Sequence, residues 1–291
     1  MMGFAAEAPF PPFAQVLDEM EETGYEGTEL GDWGYLPADA ALLTEEVERR
    51  GLALVGALVP LPLADRSRHE EYAERALRTG RLLAACARTG SGSGPLVILA
   101  DENGADPVRT GFAGRIRTEH GLSDDAWKAF SDGANMIATR VRDETGLRTV
   151  FHHHCAGFVE TPNETIRLLE MTDAALVGLC FDTGHWAYAG GDPVGALRLF
   201  GERVWHVHFK DCHPQIAERA SREKWDYFTA VRNGVFYGLG GGEVDFAALV
   251  ATLRERNYQG WIVVEDELPP GMGDPLERAR LDREFVRRLG L

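Results

Sequence analysis

The sequence is short of positive charge. Its 291 residues include 30 Lys and Arg against 46 Asp and Glu, which gives a formal net charge of −16. Proteins that bind nucleic acids neutralise phosphates with clustered Lys and Arg, so this deficit argues against a nucleic-acid partner. The acidic surplus is otherwise typical of a well-solvated enzyme surface.

Cysteine is also scarce, and long apolar runs are missing. The four cysteines are widely spaced without a CxxC pair, which is typical of free thiols in a reducing compartment. No apolar run approaches the roughly 20 residues of a membrane span, and the N-terminus lacks a basic region followed by an apolar core. We therefore expect a cytoplasmic protein with no membrane partner. The cysteines are Cys86, Cys155, Cys180 and Cys212.

Apolar runs of strand length alternate with helical patterns along the whole chain. A parallel β/α barrel needs ~250 residues, so we predict an α/β fold of the TIM (β/α)8 type as a single domain over residues 1–291. Closing such a barrel takes an eighth strand. It would have to precede the first helix, so the first strand is expected to be truncated, with a stub at 1–6, or missing. The seven predicted strands cover 25–30, 52–60, 95–100, 148–154, 176–182, 204–210 and 261–265.

Two long segments between these strands are predicted to be loops. Residues 101–121 are expected to form a polar loop with Arg109 and Arg115 at its surface. About 30 residues after the strand at 204–210, including the glycine-rich run GLGGGEVDF, are expected to form a flexible loop. Loops at the mouth of a barrel usually shape access to the site.

Side chains of the types that commonly bind metals lie within, at the end of or just beyond four of the predicted strands. Active sites of such barrels lie at the carboxyl ends of the strands. Three carboxylates and one imidazole there would suit octahedral Mn²⁺, Co²⁺ or Mg²⁺, with Zn²⁺ less expected without a thiolate. In the His-Val-His run, only one of His206 and His208 is expected to face the barrel axis, and the residues alone do not say which. The candidate ligands are Glu160, Asp182, His208 and Glu265.

Other polar residues near the strand ends are candidates for contacts with substrate or for proton transfer. His152 and His154 share one face of their strand, so they can act together. Trp33 is either a core residue or a platform for the apolar face of a polyol ring. The candidates for substrate binding are Glu29, Trp33, His152 and His185, and those for proton transfer are Glu160, Glu265, His154 and Lys210.

Several motifs together resemble the xylose isomerase-like sugar isomerase/epimerase superfamily. They occur in the family's order and spacing from Gly24 onward, and within the family they look most like inosose dehydratases, also called 2-keto-myo-inositol dehydratases. The resemblance implies Glu160, Asp182, His208 and Glu265 as metal ligands, and so favours His208 over His206. The motifs are GYEGTELGDWGYLP, LALVGALVP, the HxH and VETP elements of HHHCAGFVETP, FDTGHWAYAGGDP, HVHFKD and WIVVEDELPPG.

Two departures from the family pattern concern the substrate more than the metal. The family normally begins with a first strand and a tryptophan-containing loop, both absent here. Where the family usually reads HPHAGT, this chain reads HHHCAG.

The resemblance implies a metal-dependent lyase that acts on a small polyol or sugar. A divalent ion, Mn²⁺ or Co²⁺ before Mg²⁺ or Zn²⁺, would stabilise the enediolate formed when a proton leaves the carbon next to a ketone, and a β-hydroxyl would then leave as water. A sugar or keto-acid isomerase or epimerase would use the same site. An abasic-site endonuclease, which needs a trinuclear zinc cluster and a basic face, is disfavoured by the net charge of −16. Because the first strand is missing, a catalytically silent barrel that only binds a polyol remains an alternative. The sequence also leaves a homo-oligomer as an alternative to a monomer.

Overall fold

The computed structural model describes residues 11–87, 94–269 and 271–291. Its seven strands are all parallel and form one sheet in sequential order, with helices between them. This is an α/β barrel of the TIM type, as predicted. The expected strand stub at 1–6 lies outside the described residues. The strands are β1 (Gly27–Glu29), β2 (Ala53–Pro60), β3 (Leu96–Ala100), β4 (Arg148–His152), β5 (Val177–Asp182), β6 (Val204–Phe209) and β7 (Ile262–Val264).

Helices surround the sheet, and none of those in the described ranges is long and apolar enough to cross a membrane. In chain order they are α1 (Phe13–Thr23), α2 (Ala40–Glu48), α3 (His69–Cys86), α4 (Pro107–Phe112), α5 (Asp124–Thr145), α6 (Pro162–Met171), α7 (Thr183–Tyr188), α8 (Pro193–Phe200), α9 (Pro214–Glu223), α10 (Tyr227–Arg232), α11 (Phe246–Glu255) and α12 (Pro275–Arg288).

Strands β2 to β6 are largely buried because they are mostly apolar runs covered on both faces, as parallel strands usually are, whereas the residues of β7 are only partly buried. Every residue of β3 and β5 is buried. Polar side chains that enter this interior therefore do so mainly at the carboxyl ends of the strands, where the apolar runs stop.

Side-chain caps determine where two helices beside the site begin. Thr161 accepts the backbone N–H of Glu164, whose carboxylate accepts the N–H of Thr161 in return, a capping box that starts α6. Asp182 caps α7 by accepting the N–H of His185 with Oδ1. This bond uses one carboxylate oxygen of Asp182 and leaves Oδ2 for the barrel interior.

The two predicted loops contain helices. The segment 101–121 includes α4 and a 3-10 turn at Thr118–His120, and the segment between β6 and α11 includes α9 and α10. Helices α4 and α10 have six residues each, too few for a 3.6-residue periodicity to be read from the sequence.

Arg109 is also not the surface residue that was expected. Its side chain is fully buried, and its guanidinium donates to both carboxylate oxygens of Glu164 at 2.8 and 2.9 Å. Arg115 is half-buried and donates to the backbone carbonyls of Gly111 and Trp225. Both arginines therefore hold the segment containing α4 against the rest of the barrel.

Candidate metal centre and active site

Four side chains from the ends of four strands converge inside the barrel. His152 ends β4, Asp182 ends β5, His208 lies in β6 and Glu265 follows β7, and one potential ligand atom of each lies within 4.8 Å of the others. Asp182 Oδ2 is 3.7 Å from His152 Nε2 and 3.8 Å from His208 Nδ1, which is itself 2.9 Å from Glu265 Oε2. Two imidazoles and two carboxylates at this spacing could bind a divalent metal ion.

This group contains buried polar atoms that lack partners. Neither ring nitrogen of His152 nor Oδ2 of Asp182 has a hydrogen-bond partner among the described residues, although both side chains are buried. Buried polar atoms are nearly always hydrogen-bonded, and buried charges are paired or coordinate metals. The residues present therefore fit a divalent cation.

Glu160 is not brought into this group. Its side chain is fully buried, and its two carboxylate oxygens accept the backbone N–H groups of Gly114 at 2.7 Å and Ala156 at 2.8 Å. These bonds tie the segment after α4 to the loop after β4. His152 occupies the fourth position in the cluster that the sequence had suggested for Glu160.

The buried Glu160 carboxyl makes stability depend on pH. Burial raises the pKa of Glu160 from 4.5 to about 7, although its two backbone hydrogen bonds act in the opposite direction. The folded state therefore holds this proton more tightly than the unfolded state. The resulting stabilisation is complete below the unfolded pKa and is lost as pH rises through about 7.

We expect the free energy of unfolding of the wild type, relative to Glu160→Gln, to fall by on the order of 3 kcal/mol as pH rises from about 4.5 to about 8. Urea unfolding of both proteins across this range measures the difference. The glutamine variant serves as the non-titrating reference, and a difference that stays constant with pH would contradict the expectation.

Glu29, which was predicted to bind substrate, contacts two histidines. Its Oε1 accepts from Nε2 of His206 at 2.7 Å and from Nε2 of His208 at 2.9 Å. Both histidines therefore lie on one side of β6, as residues two apart do, and the expectation that only one faces the interior was wrong. Because Nε2 donates to Glu29, Nδ1 is the ring nitrogen of His208 that faces Asp182 and Glu265 and would be its ligand atom for a metal ion. A carboxylate behind a ligating histidine commonly sets its orientation in this way.

We expect Glu29→Gln to weaken divalent-metal binding by about 10- to 100-fold, because a neutral amide is a weaker acceptor for the two imidazole N–H groups. Titration of the metal-free protein with Mn²⁺ measures the change. Glu26→Gln is the matched control, since Glu26 is exposed just before β1 and its carboxylate lies 3.5 Å from Arg283. Equal affinities for the Glu29 variant and the wild type would rule out the orienting role.

A second polar group adjoins the first. The rings of His154 and His185 have centroids 3.8 Å apart, and both offer nitrogens within 4.8 Å of a Glu267 oxygen. Lys210 connects the two groups, because its Nζ lies 3.0 Å from Glu267 Oε1 and 3.4 Å from Glu265 Oε1. The site thus has a cluster that fits a metal and, beside it, a cluster of titratable groups.

Burial and neighbouring charges determine the protonation of this second group. Burial lowers the pKa of His154 to about 3 and, together with nearby cationic groups, holds the pKa of His185 well below its usual value. Burial also opposes the charged form of Lys210, but Glu265 and Glu267 outweigh it and raise the Lys210 pKa. The group therefore combines two neutral imidazoles with one ammonium.

Trp33 is brought into neither cluster. Its side chain is 39% exposed, and the guanidinium of Arg78 in α3 lies 4.1 Å from the centre of its ring. The interpretation of Trp33 as a core residue is therefore wrong. The cation–π contact of its ring is with Arg78 of α3.

Two members of the second group were missed from the sequence. Glu267 lies two residues after Glu265, as His154 lies two residues after His152. This spacing could have predicted that Glu267 belongs to the same group as His154. Tyr227, whose hydroxyl lies 3.3 Å from Glu267 Oε1, had no such signal because α10 falls in a segment predicted to be a loop.

A parallel barrel with buried imidazoles and carboxylates at the carboxyl ends of its strands has the construction of a TIM-barrel enzyme. Residues 17–289 match the family described as xylose isomerase-like TIM barrel, and the chain belongs to this family. The resemblance predicted from the motifs is thereby confirmed, and the protein is an enzyme.

Similar proteins include two inosose dehydratases. The chain is 36% identical over 278 residues to that of Geobacillus kaustophilus strain HTA426, covering 94% of this chain and 86% of the relative. It is 31% identical over 275 residues to that of Clostridium beijerinckii, covering 94% and 89%. A crystal structure of 3-keto-D-glucoside 4-epimerase from E. coli shares the fold, with a TM-score of 0.71 and 20% identity over 98% of this chain and 97% of that one.

Proposed function

We propose that the protein is a divalent-metal-dependent dehydratase of a keto-polyol such as 2-keto-myo-inositol. The observation that carries the proposal is the buried group of His152, Asp182, His208 and Glu265, with its unpartnered ring nitrogens and carboxylate oxygen. The similarity to inosose dehydratases along 94% of the chain supports the same proposal.

In this proposal the four clustered residues hold the ion, for which Mn²⁺ or Co²⁺ is the first choice. When bound, the ion supplies Lewis-acid polarisation of the ketone oxygen and stabilises the negative charge of an enediolate. Lys210 adds a fixed positive charge beside the same pocket, where its attraction for that charge is strengthened by the exclusion of water.

We assign the role of base to His154. Its Nδ1–H is donated to the backbone carbonyl of Cys155, so Nε2 carries the lone pair and can accept a proton from the carbon next to the ketone. The C–H electron pair then forms the enediolate, and departure of the β-hydroxyl leaves an enol that becomes the dione. We assign His185 to binding a substrate hydroxyl, because both of its ring nitrogens lack partners among the described residues.

The test combines metal content and turnover. We expect one divalent ion per chain by mass spectrometry, and formation of the dione from 2-keto-myo-inositol that depends on added Mn²⁺ or Co²⁺. An isomerase or epimerase is the alternative, because it would form the same enediolate but return the proton. It would give a product of equal mass instead of one lighter by one water, and that product, or dione formation without metal, would contradict the proposal.

A further inference from the structure

The hydroxyl of Tyr227 lies within the second polar group, and the reaction as proposed above leaves it without a role. Tyr227 is the first residue of α10, and only 6% of its surface is exposed. Its oxygen is 3.3 Å from Glu267 Oε1 and 3.5 Å from His154 Nε2. The hydroxyl therefore reaches the same nitrogen that is assigned to accept the substrate proton.

Packing holds this hydroxyl in position. The Tyr227 ring lies 5.5 Å from the His154 ring, 5.4 Å from Phe228 and 6.4 Å from Phe236, measured between centroids. The Asp226 carboxylate caps α10 by accepting the N–H of Thr229. A buried tyrosine ring in such surroundings has few alternative rotamers, so its O–H stays directed at the polar group.

The inference rests on the proposed dehydration, which needs a donor for the departing hydroxyl as well as a base. We infer that Tyr227 is a catalytic residue that protonates this hydroxyl and recovers its proton from His154. No other co-reactant is required.

The steps of the relay balance in atoms and charge. His154 Nε2 takes the proton from the α-carbon, and the electron pair of the broken C–H bond enters the enediolate. The bond between the β-carbon and its hydroxyl oxygen then breaks as the carbon–carbon double bond forms. The departing oxygen takes the Tyr227 proton and becomes water, while the proton on His154 passes to the Tyr227 oxygen. Both side chains return to their starting states.

The neighbouring groups are less suited to this donation. The Lys210 ammonium is engaged by the carboxylates of Glu265 and Glu267 at 3.4 and 3.0 Å. Glu267 Oε1 serves as an acceptor for both Lys210 and Tyr227. The Tyr227 hydroxyl donates to a single carboxylate, Glu267, and on turning to a substrate oxygen it can still accept from His154 as a relay requires, whereas an ammonium cannot accept.

The test separates the two proton transfers. Tyr227→Phe keeps the ring and its packing but removes the hydroxyl. In deuterated water with metal-loaded enzyme, we expect dione formation to fall by roughly 10²- to 10⁴-fold. Substrate recovered from the variant reaction should gain deuterium at the α-carbon, because His154 still removes that proton, whereas wild-type substrate is mostly eliminated before it exchanges.

Tyr188→Phe is the matched control. Tyr188 is also buried, its ring meets the same Phe236 edge-on at 5.5 Å, and its hydroxyl has no hydrogen-bond partner among the described residues. We expect this variant to dehydrate and exchange like the wild type.

Two results for Tyr227→Phe would overturn the role of Tyr227 without contradicting the proposed dehydratase function. One is dione formation at the wild-type rate. The other is a loss of dehydration in which the recovered substrate gains no deuterium at unchanged metal content, because a residue that only shapes the pocket affects both steps. A wild-type protein that neither exchanges nor dehydrates would instead refute the proposed function, and this inference with it.

Discussion

His152→Ala is expected to abolish tight binding of a divalent ion and, with it, dehydration. The substitution removes one of four clustered ligand atoms and leaves Asp182 Oδ2 without the imidazole 3.7 Å away. The loss of affinity should exceed the roughly 10- to 100-fold that follows when only a hydrogen-bond partner of a ligand is removed. Metal content after dialysis and titration with Mn²⁺ measure it.

Glu160→Gln is the comparison that distinguishes the structural from the sequence-based choice of ligand. Both Glu160 oxygens accept backbone N–H groups in place of a metal ion, so this variant should keep its metal. Retention of metal by His152→Ala together with its loss in Glu160→Gln would reverse the assignment.

Arg109→Met is expected to lower the free energy of unfolding by about 3–5 kcal/mol. Arg109 is fully buried and forms two hydrogen bonds with Glu164, and its Nε also donates to the carbonyl of Gly157 at 2.7 Å. The variant leaves the Glu164 carboxylate without its guanidinium partner, although Oε2 keeps the N–H of Thr161, and it leaves the buried Gly157 carbonyl without a donor. Urea unfolding with an unchanged m value measures the loss.

Arg219→Met provides the control for an ion pair at the surface. Arg219 and Glu223 are 3.0 Å apart, but their side chains are 52% and 37% exposed. Removing such a pair usually changes stability by no more than about 1 kcal/mol. If Arg109→Met had as small an effect as this control, the buried pair would not contribute to stability as we expect.

Much of the fold could be predicted because its signals are local. Strands β2 to β7 are mostly runs of apolar residues, those from β4 onward end in or run into polar ones, and the capping box at Thr161 starts α6 within a few residues of its own sequence. Helices α4 and α10 could not be predicted in the same way. Each is only six residues long, and α4 is held by the pairing of Arg109 with a glutamate from a different helix.

The candidate site was predictable where a side chain ends or directly follows a strand. Asp182, His208 and Glu265 belong to this class, and strand pairing brings the first two together because Asp182 is the partner of His208 in the register of β5 and β6. Glu160 is different, since it lies in the loop beyond β4. The path of that loop depends on the Gly114 N–H from a distant part of the chain.

The sequence by itself therefore determined the α/β barrel and the residue types at the ends of its strands, because both follow from apolar runs, turns and caps that act over a few residues. The tertiary structure decided which side chains share a cluster: His152 in the place suggested for Glu160, Glu29 behind His208, and Tyr227 beside His154. These pairings join residues far apart in the chain, so they depend on strand register and on how the loops pack over the barrel.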